Sequence, residues 1–131
     1  MLSTDMCRYF YVDTENVIAD AWSASMHKLA KNDKVILFES RNSKPVPVRN
    51  ATYLQETVCK LELIHCEVGT ANAMDFILCT KLGEQILKAP KSHHYIVSND
   101  KGYDAAIAYL KSRGYAVDRI ASISQYKHFE S

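Results

Sequence analysis

Tyr9-Phe10-Tyr11-Val12-Asp13-Thr14-Glu15-Asn16 is the stretch that decides how this chain folds. Its aromatic and β-branched start reads as a buried strand, and the run stops abruptly at an acid. After Asn16 the period changes. Ala19, Trp22, Met26 and Leu29 recur at spacings of three and four, the stripe of an amphipathic helix over residues 15–31. Asp13 therefore stands at the carboxyl end of a strand, facing a helix start. That edge is where open α/β sheets bind ligands.

Outward from this stretch the alternation repeats. Asn32-Asp33 breaks the helix, and Val35-Ile36-Leu37-Phe38 reads as a second buried strand ending at Glu39. Residues 40–49 hold Pro45, Pro47 and the cations Arg41, Lys44 and Arg49, and read as a loop. Asn50 stands where an N-cap would start a helix over residues 51–60. Leu61-Glu62-Leu63-Ile64-His65-Cys66 follows as a third strand. Residues 70–88 form the longest core helix, with Met74, Ile77, Leu78, Lys81, Leu82 and Gln85 at helical spacing and Pro90 beyond its end. Tyr95-Ile96-Val97-Ser98 is a fourth strand, and Asn99-Asp100-Lys101-Gly102 is turn chemistry. A helix over residues 103–113 closes at Gly114 in the left-handed cap position. Tyr115-Ala116-Val117 reads as a short fifth strand, and residues 119–131 as a sixth short element or a docking segment. Five such alternations predict a parallel sheet with helices on both faces. Right-handed crossovers collect all the strand carboxyl ends on one edge.

Composition narrows the class. At 131 residues the chain suits one domain, and 47% apolar against 24% charged residues excludes a disordered chain. A net charge of +1 excludes a global electrostatic footprint for nucleic acid, so any basic binding surface has to be local. Cys7, Cys59, Cys66 and Cys79 form no C-x-x-C pair, which argues against zinc or a redox dithiol and for buried, reduced thiols in a cytosolic protein. Residues 1–8 lack a signal-peptide layout. No apolar run approaches the roughly 20 residues of a spanning helix. The expectation is a soluble, cytoplasmic protein with no membrane contact. His93-His94 and His65-Cys66 are strand neighbours facing opposite sides, so neither pair can share a metal, and the histidines read as structural or surface residues.

The acids carry the chemistry. Asp13 ends the first strand, Asp100 follows the fourth, and Asp104 lies four residues on, a spacing that shares a helix face. Each of these also suits a cap or first helical turn. Asp75 has no such role. It sits in Met74-Asp75-Phe76-Ile77-Leu78 on a core helix, with no helical cation neighbour, and burying it ionised and unpaired is costly. Asn72, three residues earlier, shares its face, so Asp75 is expected to point to the polar edge. If the first and fourth strands are neighbours, all four acids surround one crevice. Clustered carboxylates repel, and a divalent cation relieves that. Oxygen-only ligands select hard ions such as Mg²⁺ or Mn²⁺, which bind phosphates and lower the pKa of bound water.

Asp13-x-x-Asn16 after a strand, Asn72-x-x-Asp75 opening a core helix, and Ser98-x-Asp100-x-x-x-Asp104 after the fourth strand resemble the PIN-like nucleases, closest to the NYN and related PIN-like groups. The resemblance runs from Tyr9 to about Ile120. It implies a single Rossmann-like PIN-like domain over residues 1–131, with a five-stranded sheet in order 3-2-1-4-5 and a Mg²⁺- or Mn²⁺-dependent ribonuclease site. Asp13, Asp75 and Asp100 match its core metal-binding and catalytic acids, and Asp104 its additional acid. Asn16, Asn72 and Ser98 match the polar residues beside them. Arg41, Lys44 and Arg49 can meet phosphates, and Tyr53 a base.

The expected partner is RNA, with DNA as the second nucleic-acid candidate. A second copy or a regulatory protein are the protein contacts left open. The alternative is a catalytically degenerate PIN-like module that binds RNA or a protein without cleaving. A phospho-receiver domain would need an acceptor Asp at the end of the third strand, where His65-Cys66-Glu67 stands, and a Lys after the fifth, where Asp118-Arg119 stands. A haloacid-type phosphatase would need Asp in place of Glu15.

Overall fold

The computed structural model describes residues 7–67 and 72–129, with side chains described to Tyr126. Expectations for residues 1–6, for Thr70 and Ala71, and for Glu130 and Ser131 lie outside the described residues. Five strands, Arg8–Asp13 (β1), Lys34–Glu39 (β2), Lys60–His65 (β3), His93–Val97 (β4) and Val117–Ile120 (β5), form one parallel sheet in the order β3-β2-β1-β4-β5. The order expected for the α/β fold is therefore the order observed. The chain adds strands outward in one direction from β1 to β3 and in the other from β4 to β5, so the order switches between β1 and β4, which pair in register from Arg8 opposite His93 to Val12 opposite Val97. The crevice of such a sheet opens at that switch point, directly above Asp13.

Alternate residues of the central strands feed two cores, as the strand period of two requires. Phe10, Val12, Val35, Leu37, Tyr95 and Val97 face one side and pack with Trp22, Met26 and Tyr126. Tyr11, Ile36, Phe38 and Ile96 face the other and pack under Met74, Leu78, Leu82, Ile86 and Ile107. These last belong to the helices Ala73–Lys88 (α3) and Asp104–Ser112 (α4). Among the described residues no helix is long and apolar enough to cross a membrane.

The first two helices and the fifth strand differ from the sequence pattern, each for a local reason. The helix expected over residues 15–31 shrinks to Asp20–Ser23 (α1) and a 3₁₀ turn at Met26–Lys28. The Asp13 carboxylate holds the Glu15 backbone N–H (3.1 Å) and the Asn16 amide (2.7 Å), so this segment starts as a turn. Further on, Ser23 bonds back to the Ala19 carbonyl at 2.7 Å. The stripe itself is correct, because Ala19, Trp22, Met26 and Leu29 are all buried. The helix expected over residues 51–60 ends at Gln55 (Ala51–Gln55, α2). Lys60 is drawn instead into β3, its N–H bonding the Asp33 carbonyl at 2.9 Å. Asn50 does not cap α2. Its side-chain amide bonds Asp20 Oδ1 (2.6 Å) and Ser23 Oγ (2.8 Å), tying α1 to the following loop.

The fifth strand lies two residues later than the pattern suggests. Gly114 has φ +95° as expected of a left-handed cap, but Tyr115 still bonds back to Leu110 at 3.1 Å, so pairing starts only at Val117. Asp118 and Arg119 therefore lie within β5 rather than after it. The tail continues as a 3₁₀ segment, Ile123–Phe129, whose Ile123 and Tyr126 complete the first core. The four cysteines are free, yet only Cys66 is fully buried, which corrects the expectation of uniformly buried thiols.

Candidate metal centre

Asp13 ends β1 and is 0% exposed. Oδ1 accepts from Glu15 N–H, while Oδ2 accepts from the Asn16 amide (2.7 Å), Ser98 Oγ (3.0 Å) and Tyr103 Oη (3.2 Å). All four donors are neutral. A buried carboxylate held this way is oriented and solvated, but its charge is not cancelled. Asp100 follows β4 in an extended conformation. Its N–H bonds Ser98 Oγ at 3.0 Å, and its Oδ1 takes the Gly102 N–H at 2.8 Å, the local turn that opens the 3₁₀ segment Lys101–Tyr103. Asp75 occupies the first turn of α3 and points into the crevice, where Oδ1 accepts from Tyr103 Oη at 3.1 Å.

Each of Asp13, Asp75 and Asp100 offers a carboxylate oxygen within 4.8 Å of the others. Burial pushes the Asp75 carboxyl above its ordinary value. The Tyr103 hydrogen bond opposes this, and the charges of Asp100, Asp13 and Glu15 add to it. Burial first, then Asp13 and Asp75, drive the Tyr103 phenol far up, so it stays protonated, with its one O–H shared between the two acids. Three carboxylate oxygens with neutral side-chain support fit a hard divalent cation.

Asp104 is placed differently from the expected four-acid ring. Asp100 lies before the helix, so the four-residue spacing does not stack the two side chains. Asp104 instead holds Arg119 through Nε (2.8 Å) and Nη2 (3.1 Å), and Arg119 Nη1 reaches the Ser98 carbonyl at 3.2 Å. Asn16 is exposed on one side and bound to Asp13 on the other. Asn72 immediately precedes α3 in the left-handed conformation (φ 66°), which asparagine tolerates. In the loop after β2, Arg41 is exposed, Arg49 pairs with Asp20, and Lys44 Nζ bonds the Glu15 carbonyl at 3.1 Å, at the rim of the crevice.

Tyr103 and Arg119 are the two residues that sequence reasoning missed. A signal for the first existed. Tyr103, just before α4, keeps helical spacing with Ile107 and Leu110, which marks it as inward-facing at the end nearest the crevice.

A parallel α/β sheet with a carboxylate cluster at its switch point defines a Rossmann-like domain with a candidate metal centre. A family model described as PIN domain matches residues 7–120, and the chain belongs to the PIN domain family. PIN domains are usually nucleases that act on nucleic acids with divalent metal ions. No curated protein and no solved structure matches the chain.

The cluster also sets an expectation for stability. A raised carboxyl pKa means that folding favours the protonated form. The penalty is absent below the unfolded value and grows as pH rises through the folded one. Asp75→Asn keeps an oxygen for Tyr103 and removes the charge. Without metal it should melt as the parent does in acid, and be more stable at neutral pH by about 1 kcal/mol, the middle of what single stabilising changes give. Melting curves at both pH values check this. A lower melting temperature at neutral pH would make Asp75 a structural hydrogen-bond partner whose ionised form the fold needs.

Proposed function

We propose that this PIN domain acts as a single-domain, divalent-metal-dependent ribonuclease on single-stranded RNA, with Mg²⁺ or Mn²⁺ as its ion, in the cytoplasm where its free cysteines stay reduced. Within the family we place it nearest the NYN and related PIN-like groups, on Asp13-x-x-Asn16 and Asn72-x-x-Asp75. The observation that carries the reading is the 4.8 Å grouping of Asp13, Asp75 and Asp100 on the switch-point edge. These three would hold the ion. When bound, it neutralises a scissile phosphate and makes water a stronger acid.

The chain's own residues do the rest. Asn16 and Ser98 hold Asp13 in one rotamer, and the Gly102 N–H does the same for Asp100. Tyr103 spans Asp13 and Asp75 and keeps their oxygens at a set separation. Asp104 serves by holding the Arg119 guanidinium beside Asp100, where it can meet a phosphate oxygen. Lys44, bonded to the Glu15 carbonyl, stands beside the crevice; Arg41, and Arg49 beside its partner Asp20, are read as further phosphate contacts on the loop after β2, and Asn72 stands at the start of α3. Cys66, within reach of the acids' charge, is buried, and burial together with Glu15, Asp13 and Glu39 pushes it up, so it is no nucleophile. Single-stranded RNA suits the crevice, because a flexible strand can bend a phosphate to the sheet edge.

Purified protein with end-labelled single-stranded RNA tests the reading. Cleavage should need added Mg²⁺ or Mn²⁺, stop in excess chelator and return with Mn²⁺. Alanine at Arg41 or Arg49 should weaken binding at physiological salt with a far smaller loss of rate. Cleavage that persists in excess chelator sinks the metal mechanism. RNA binding without cleavage under any divalent ion leaves the degenerate binding module.

A further inference from the structure

Helix α3 is amphipathic towards its own core, but its outer face is also apolar. Phe76 is 70% and Leu87 77% exposed, and Thr80 and Gly83 lie between them at spacings of four, three and four, one straight seam. Beside the seam runs a groove of about 300 Å³ lined by Ile64, Phe76, Ile77, Thr80, Lys81 and Glu84. Gly83 stands out. Glycine is the poorest helix former after proline, and here it occupies the interior of a 16-residue helix. A Cβ built on it meets nothing within 4 Å, so packing inside the chain does not call for it. Close approach of a second backbone would.

The seam is self-complementary. A two-fold axis across α3, between Lys81 and Leu82, lays Phe76 over Leu87 of a second copy and Thr80 over Gly83. Large residues then flank a small pair at the centre, where two helices come closest. The same antiparallel arrangement opposes the helix dipoles. We propose that two copies of this chain associate through an isologous, antiparallel α3–α3 contact. An isologous patch must match itself, and this one does in size and in the small centre. The contact is independent of whether the carboxylates hold a metal.

The full chain is tested by light scattering across a concentration series. The mass should approach twice the 14.9 kDa of one chain at high concentration. Phe76→Glu, Leu87→Glu and Gly83→Leu should each return it to the monomer, with unchanged circular dichroism because all three positions are at the surface. Register is tested in a Cys79→Ala background. A mixture of Thr80→Cys and Gly83→Cys chains should form a disulfide-linked dimer under mild oxidation, and neither variant alone should. A chain that stays monomeric at every concentration overturns the proposal. So does a dimer that survives all three substitutions, or one in which Thr80→Cys alone cross-links as well as the mixture does.

Discussion

Asp13→Asn is expected to lower RNA cleavage by at least about 10³-fold while the protein stays folded. Replacing groups that merely orient a metal ligand costs roughly 10–100-fold in affinity or activity, and Asp13 belongs to the cluster itself. Its environment sharpens the expectation. Four neutral donors fix this carboxylate, so asparagine can keep most of the hydrogen bonds through one oxygen, and what disappears is charge. Two readouts separate loss of the ion from loss of the fold. The parent should melt at a higher temperature in excess Mn²⁺, since a ligand that binds only the native state at 100 times its Kd adds about 2.7 kcal/mol. Asp13→Asn should show little of that rise, yet melt normally without metal. Ser98→Ala, which removes one orienting donor, should fall within the smaller range. Cleavage at parental rates in Asp13→Asn would end the metal-nuclease reading, whatever the other variants do.

The site was readable in sequence to the extent that backbone position determines it. Asp13 and Asp100 were legible because each follows a strand whose apolar run is unmistakable, and a parallel sheet puts such ends together. Asp75 was legible because an acid between Met74 and Phe76 on a core helix needs a polar exit. What stayed hidden depends on side-chain reach. Asp104 keeps helical spacing from Asp100, but Asp100 is spent on a turn with Gly102, which breaks the register that spacing assumes. Its actual partner, Arg119, lies 15 residues on and was read as following a strand that in fact contains it. Tyr103 carries a phenol that touches two acids; its spacing from Ile107 and Leu110 marks it as inward-facing, but not that its hydroxyl reaches them. The first helix was overestimated for the same reason. The stripe that buries Trp22 and Met26 was visible, whereas the hydrogen bonds of Asp13 and Asn50 that interrupt it come from outside the segment.

Asp33→Ala is expected to be among the most destabilising single substitutions, and its cause lies at the opposite end of the sheet from the acids. Asp33 is 2% exposed and accepts four hydrogen bonds. Oδ1 takes the Arg8 backbone N–H (3.1 Å) and Arg8 Nε (3.0 Å); Oδ2 takes Arg8 Nη2 (2.6 Å) and the Ala30 N–H (2.8 Å). Its own carbonyl accepts from Lys60, so one residue joins the starts of β1, β2 and β3. Arg8 in turn lies 4.4 Å over the Tyr126 ring and draws the C-terminal segment into the same contact. Alanine removes the acceptor of two backbone N–H groups and of two guanidinium bonds. Breaking a buried pair from one side costs about 3–5 kcal/mol. The Arg8 side chain keeps 24% of its exposure and some water, so the low end, about 3 kcal/mol, is the expected loss. For a domain of this size that is a fall of roughly 10 °C in melting temperature. Arg8→Ala should cost less, because Asp33 can still accept the two backbone N–H groups. Cleavage by whatever fraction of Asp33→Ala remains folded should be unchanged, since the carboxylates lie at the other ends of the same strands. Thermal denaturation of both variants, with RNA cleavage measured well below their transitions, checks each part. A melting temperature within a degree or two of the parent would mean that water replaces the Asp33 carboxylate and that the strand starts are held by the sheet alone.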